Sequence, residues 1–131
     1  VLMMRLGAQA LDLMLACAEG RLEGARASFA PDHALTVVIA AQGYPGTPLK
    51  GSEIKGLNAL PETSFQMVFH AGTTLHDGAV LATGGRVLNV TARGATLAEA
   101  RARAYAMVDR IDWPQGFCRR DIGWRALGPE S

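Results

Sequence analysis

Residues 69–90 read "FHAGTTLHDGAVLATGGRVLNV", and how this stretch is divided decides the fold. It holds two histidines, one aspartate, four of the chain's fifteen glycines and a single arginine behind a Gly-Gly pair. Three readings compete: a metal or catalytic site, a phosphate-binding loop, or strands joined by ordinary turns. The apolar runs "FQMVFH" (65–70), "AVLAT" (79–83) and "RVLNVTA" (86–92) have strand composition. The glycines between them make antiparallel hairpins the simplest connection. Asp-Gly tolerates the positive backbone angles of tight hairpin turns, so His76-Asp77-Gly78 reads as a turn before it reads as a ligand set.

Upstream of this stretch, "ALTVVIAA" (34–41) is a short β-branched run typical of a buried strand. "QGYPGTPLKGSEIKG" (42–56) interrupts it with two prolines and four glycines. Downstream, "TLAEARARAYAMVDRI" (96–111) reads as a helix opened by Thr96 and Glu99, at the spacing where each satisfies a free backbone N–H. Leu97, Ala100, Ala104, Met107, Val108 and Ile111 share one face of it, while Glu99 and Arg103 form an i,i+4 pair on another. At the start, Leu2, Leu6, Ala10, Leu13 and Cys17 recur at helical spacing and predict one helix ending near Gly20. In the tail, "DWPQGFCRRDIGWRALGPES" (112–131), Pro114 and Gly116 break any long element and leave room for a short strand or turn. The expected architecture is α+β, a small, mainly antiparallel sheet with two packing helices. Residues 1–33 supply a helix and connection, and residues 34–131 an α+β domain.

Composition narrows the function. At 131 residues, 49% of them hydrophobic, the chain is long enough for one core and too short for two ordinary domains. A net charge of +1 offers no field for nucleic acid or an anionic membrane, and the arginines of 96–111 do not line one face. Arg5, Gln9 and Asp12 interrupt the apolar start, which also lacks the basic flank of a signal peptide. Cys17 and Cys118 form neither a disulfide framework nor a CxxC motif, so a reducing, cytoplasmic setting is expected. The chain opens on Val1, directly in a helical pattern, which points to a piece of something longer.

His70, His76 and Asp77 have suitable donor atoms but match no strong metal spacing. Cys118 with His70 or His33 is a conceivable nucleophile pair, without local signs of activation. The acidic residues fit solvated helix faces and turns. Arg86 is the more specific candidate. Gly84-Gly85 lets backbone approach a ligand closely, and the guanidinium offers a planar fork to a phosphate or carboxylate. The competing reading there is a tight turn with a surface ion pair.

Six separated stretches resemble, in order and spacing, the C-terminal portion of the phosphoribosylamine-glycine ligase (glycinamide ribonucleotide synthetase) family, an ATP-grasp family. They are "VVIAAQGYPG" (37–46), "KGSEIKGL" (50–57), "VFHAGT" (68–73), "GGRVLNVTARG" (84–94), the capped helix after it, and "FCRRDIGWRAL" (117–127). The opening "VLMMRL" is similar to the family's "MPRL", with Met4 where the family has proline. The resemblance implies a cytoplasmic purine-synthesis ligase that uses ATP and Mg2+ to join glycine to 5-phosphoribosylamine through a glycyl phosphate. It places the ATP and magnesium sites in N-terminal and ATP-grasp domains outside this chain, so the piece by itself is expected to be inactive. It also implies a phosphate clamp on a strand-turn-strand. Related ATP-grasp enzymes of purine synthesis carry Gly-Lys where this chain has Gly72-Thr73, and an arginine where it has Arg86. The implied substrate contacts are Arg86, Gly84 and Gly85, then His70 and Thr73, with Lys50 or Arg119 as further charge. The alternative is a stand-alone, non-catalytic module that binds a small molecule or a partner.

Overall fold

The structure, a computed structural model, describes residues 1–128, so the last three residues of the expected 34–131 domain lie outside it. Along the chain come α1 (Leu2–Leu6), α2 (Gln9–Ala18), β1 (His33–Ala41), β2 (Glu53–Ile54), a 3-10 turn (Leu57–Ala59), β3 (Gln66–His70), β4 (Thr73–His76), β5 (Ala79–Ala82), β6 (Arg86–Gly94), α3 (Leu97–Val108), β7 (Gly116–Phe117) and α4 (Trp124–Leu127). The strands form a four-stranded sheet in the order β3-β6-β1-β7 and a three-stranded one in the order β2-β5-β4, with antiparallel pairing throughout. The α+β class read from the sequence is what the structure shows.

The core lies between the larger sheet and α3. Alternate residues of β1, Leu35, Val37 and Ile39, are buried opposite Ala92, Val90 and Leu88 of β6. Their common face meets Ala100, Ala104, Met107 and Val108 of α3, the face expected from helical spacing. The two alanines let the helix approach closely, and each fully buried Leu or Val contributes about 1.5–3 kcal/mol. At the helix start, Thr96 Oγ1 accepts from Glu99 N at 3.1 Å, as predicted. The Glu99 carboxylate reaches Ala95 N, just ahead of the helix, at 2.7 Å, and Glu99 also pairs with Arg103.

Local readings needed correction in three places. The predicted first helix is two, because Gly7 takes φ 60° and ends α1 there. Only Ala10 of the apolar stripe is buried; Leu2 and Leu11 are 64% and 72% exposed. Polar contacts tie this segment down instead. Arg5 donates to Ala30 O at 2.9 Å, and Arg93 of β6 bridges Asp32 at 2.6 and 2.9 Å while donating to Met4 O. The Arg93 hydrogen bonds hold the Asp32 carboxyl below the usual carboxylate range. Second, Thr73–His76, read as part of a turn, is a strand. Third, β3 pairs not with its neighbour in sequence but with β6, and β4-β5 forms its own hairpin in the smaller sheet. No helix among the described residues is long and apolar enough to cross a membrane.

Candidate functional site

The face of the larger sheet opposite α3 carries half-buried Thr36 and Val38 and buried Ala40 of β1, and these line grooves on that face. Strict alternation along β6 would put Arg86 on the same side as Leu88 and Val90, in the core. A bulge prevents this. Ile39 pairs with Leu88 but Ala40 pairs with Arg86, so Val87 is an extra residue in β6. Val87 and Leu88 are consecutively buried, and Arg86 moves to the open face alongside Asn89, the partner of Val38. Bulges near functional sites re-aim side chains in this way.

Around Arg86 lies an open concavity of about 630 Å³, floored by Val38 and Asn89 and walled by Tyr44, Gly72, Gly84 and Gly85. Its corner depends on missing side chains. A Cβ on Gly72 would stand 2.9 Å from both Gly84 Cα and Arg86 O, and one on Gly85 would stand 2.5 Å from Tyr44 Cδ2. Backbone bonds brace the corner: Thr83 N to Gly72 O and Ala41 N to Gly85 O, each 2.8 Å, and Gly72 N to Val87 O, 3.1 Å. Arg86 is exposed, and among the described residues the N–H groups of the half-buried Gly84 and Gly85 donate no backbone hydrogen bond. An exposed cation beside free amide donors suits an anion with several oxygens.

A second, more apolar groove of about 300 Å³ adjoins the first and shares Val38, Tyr44 and Arg86 with it. Ala40, Phe117, Cys118 and Ile122 form its apolar side. Arg119 lies at its edge with its charge engaged by Asp121, at 2.9 and 2.5 Å.

The remaining sequence candidates are dispersed. His70 and Thr73 meet each other, with His70 Nδ1 2.9 Å from Thr73 Oγ1, but neither lines the Arg86 concavity. His70 pairs with Leu88, on the other face of the sheet, and borders a separate depression with Asn58 and Glu62. Lys50 is exposed and lines neither groove. The predicted hairpin turn forms at Asp77-Gly78, with φ 48° and 81°, while His76 is the last residue of β4 and pairs with Ala79. Cys118 meets neither histidine: its neighbour Phe117 pairs with Ala40, whereas His33 lies seven residues, about 23 Å, down β1. Burial pushes the Cys118 thiol up, away from the reactive thiolate. Among the described residues, no three His, Cys, Asp or Glu side chains converge to hold a metal ion.

Sequence reasoning missed Tyr44 and Asn89. Asn89 had one legible signal, a lone amide inside the apolar run "VLNV". Tyr44 had none, because its place beside the concavity depends on the loop folding back over Gly85.

Known proteins bear on this geometry. The family described as phosphoribosylglycinamide synthetase, C domain, matches residues 34–125. The phosphoribosylamine-glycine ligase of Mesorhizobium japonicum is 56% identical over 130 residues, covering 99% of this chain and 30% of that protein. The chloroplastic phosphoribosylamine-glycine ligase of Arabidopsis thaliana is 52% identical over 129 residues, 97% of this chain and 24% of that protein. The crystal structure of phosphoribosylamine-glycine ligase from Thermotoga maritima superposes with a TM-score of 0.66 at 34% identity, over 82% of this chain and 27% of that one. The chain thus spans under a third of the length of these relatives. Because the family match runs from the first long strand through the C-terminal turn, the chain belongs to the phosphoribosylglycinamide synthetase C-domain family.

Proposed function

We propose that this chain is the C-terminal part of a purine-synthesis ligase that joins glycine to 5-phosphoribosylamine, and that its open sheet face forms one wall of the phosphoribosyl site. The observation that carries this reading is Arg86, turned out of the core by a bulge and left exposed on the open face. In this reading its guanidinium and the N–H groups of Gly84 and Gly85 hold the substrate phosphate. The Asn89 amide on the floor offers a donor and an acceptor to sugar hydroxyls. His70 and Thr73 then brace the β3–β4 connection and do not touch substrate.

The chain's own donor set does not fit a resident metal, since no cluster of His, Cys, Asp or Glu is assembled among the described residues. ATP and Mg2+ therefore belong, in this proposal, to the remainder of the ligase, and this part contributes binding and orientation. Glycine and the missing N-terminal and ATP-grasp domains are the other partners. The exposed apolar side chains of α1 and α2, among them Leu2, Leu11 and Met14, fit contact with those domains.

The test is steady-state kinetics of the full-length ligase carrying this sequence. A charge-assisted hydrogen-bond set contributes about 1.5–3 kcal/mol, so Arg86→Ala should raise KM for phosphoribosylamine roughly 10- to 100-fold. KM for ATP should stay within about twofold. Equal effects on both substrates, or none on either, would refute the assignment.

A further inference from the structure

We infer that Tyr44 is a positioning residue for the anion corner: its ring occupies the space beside Gly85 and so fixes where the Gly84-Gly85 amides and Arg86 stand. The inference rests on the phosphoribosyl reading of that corner. Three observations carry it. The ring lies so close to Gly85 that a Cβ there would be 2.5, 3.1 and 3.5 Å from Cδ2, Cε2 and Cγ, which places ring carbons along the missing side chain. Tyr44 is also tied to Gly85 through Ala41, because its N–H donates to Ala41 O at 3.0 Å and Ala41 N in turn donates to Gly85 O at 2.8 Å. The loop carrying Tyr44 and the turn carrying Arg86 are therefore joined through one residue of β1. Finally, Tyr44 borders both grooves, as does Arg86, so the ring forms the partition between the polar concavity and its apolar neighbour.

The physical argument concerns preorganisation. A Gly-Gly segment loses more conformational freedom on ordering than any other pair, and its amides bind an anion well only if that cost is met before the ligand arrives. A rigid ring packed on Gly85 confines the segment without a side chain of its own. Tyr44 is exposed and its ring carbons are the atoms that meet Gly85, so the ring is the part that acts.

The experiment uses Tyr44→Ala, Tyr44→Phe, Gly85→Ala and the Tyr44→Ala/Gly85→Ala double variant of the full-length ligase, beside Arg86→Ala. Tyr44→Ala is expected to raise KM for phosphoribosylamine about 5- to 10-fold while kcat and KM for ATP stay within about twofold. Tyr44→Phe should restore the original KM. If Tyr44 acts through Gly85, the double variant should be no worse than the worse single one, since the two changes disturb one contact. Tyr44→Leu, which keeps bulk but loses the flat face, carries the same test if the alanine variant melts below the assay temperature. Parallel losses in kcat and both KM values, additive effects in the double variant, or a Phe variant as impaired as Ala would each overturn the inference. A silent Tyr44→Ala beside an impaired Arg86→Ala would overturn it and leave the phosphate reading standing; a silent Arg86→Ala would remove both.

Discussion

Two glycine turns stand seven residues apart in the same hairpin region, and they use glycine for opposite reasons. At Asp77-Gly78 the chain needs backbone conformation: φ is 48° and 81°, and a Cβ on Gly78 would meet nothing within 4 Å. At Gly84-Gly85 neither residue has positive φ, and the need is for space, with Gly72 backbone on one side and the Tyr44 ring on the other. The first turn is local and open to solvent. The second is a junction of β1, β3 and β6 whose atoms border the Arg86 concavity. A turn that only reverses the chain tolerates substitution outside its own dihedrals. A turn packed against other elements transmits every change to the site beside it.

The sharpest way to break this contrast is Gly72→Ala. The new methyl would lie within 3.0 Å of three backbone atoms of Gly84 and Arg86, which cannot rotate aside. Overpacking of this kind should cost about 2–3 kcal/mol in chemical denaturation and, in the proposed full-length ligase, displace Arg86 and raise KM for phosphoribosylamine as well. Stability loss without any change in substrate affinity would show that the corner is structural only.

Gly78→Ala comes next. It places a methyl in open space at φ 81°, so the penalty is the left-handed conformation itself, about 1 kcal/mol. Thermal melting should detect it, and the kinetic constants should not change; a rise in KM would mean that the two turns are coupled. The smallest effect is expected for His76→Ala. His76 and Asp77 are 70% and 92% exposed and 3.4 Å apart, a surface contact of the kind that contributes little. Stability should stay within about 0.5 kcal/mol, and added divalent metal should shift the melting temperature of neither form. A metal-dependent shift lost in His76→Ala would revive the ligand reading of this turn.

Much of the fold was legible in residue order. The helical spacing of Leu97 to Ile111, with Thr96 and Glu99 ahead of it, is local chemistry, and α3 forms where it predicts. The β-branched runs became β1 and β6, because such residues pack well on a pleated surface between neighbours. The first helix was less legible: its stripe predicts burial, yet a stripe does not name what covers it, and only Ala10 is buried while Leu6 and Leu13 are half-buried and Leu2 and Cys17 exposed. Thr73–His76 read as loop because its two threonines, leucine and histidine sit between glycines, and only pairing with β5 makes it a strand.

The sequence by itself determined the α+β class, the Asp77-Gly78 turn, the capped α3 and the arginine worth examining, since each depends on residues near one another in the chain or on residue type. Tertiary structure alone decided which side of the sheet Arg86 occupies, that Tyr44 closes over Gly85, and that His70 belongs to a different surface. The reason lies in register. Side-chain direction along a strand follows parity until a bulge shifts it, and a bulge is a relation between two strands that residue order in one of them does not contain.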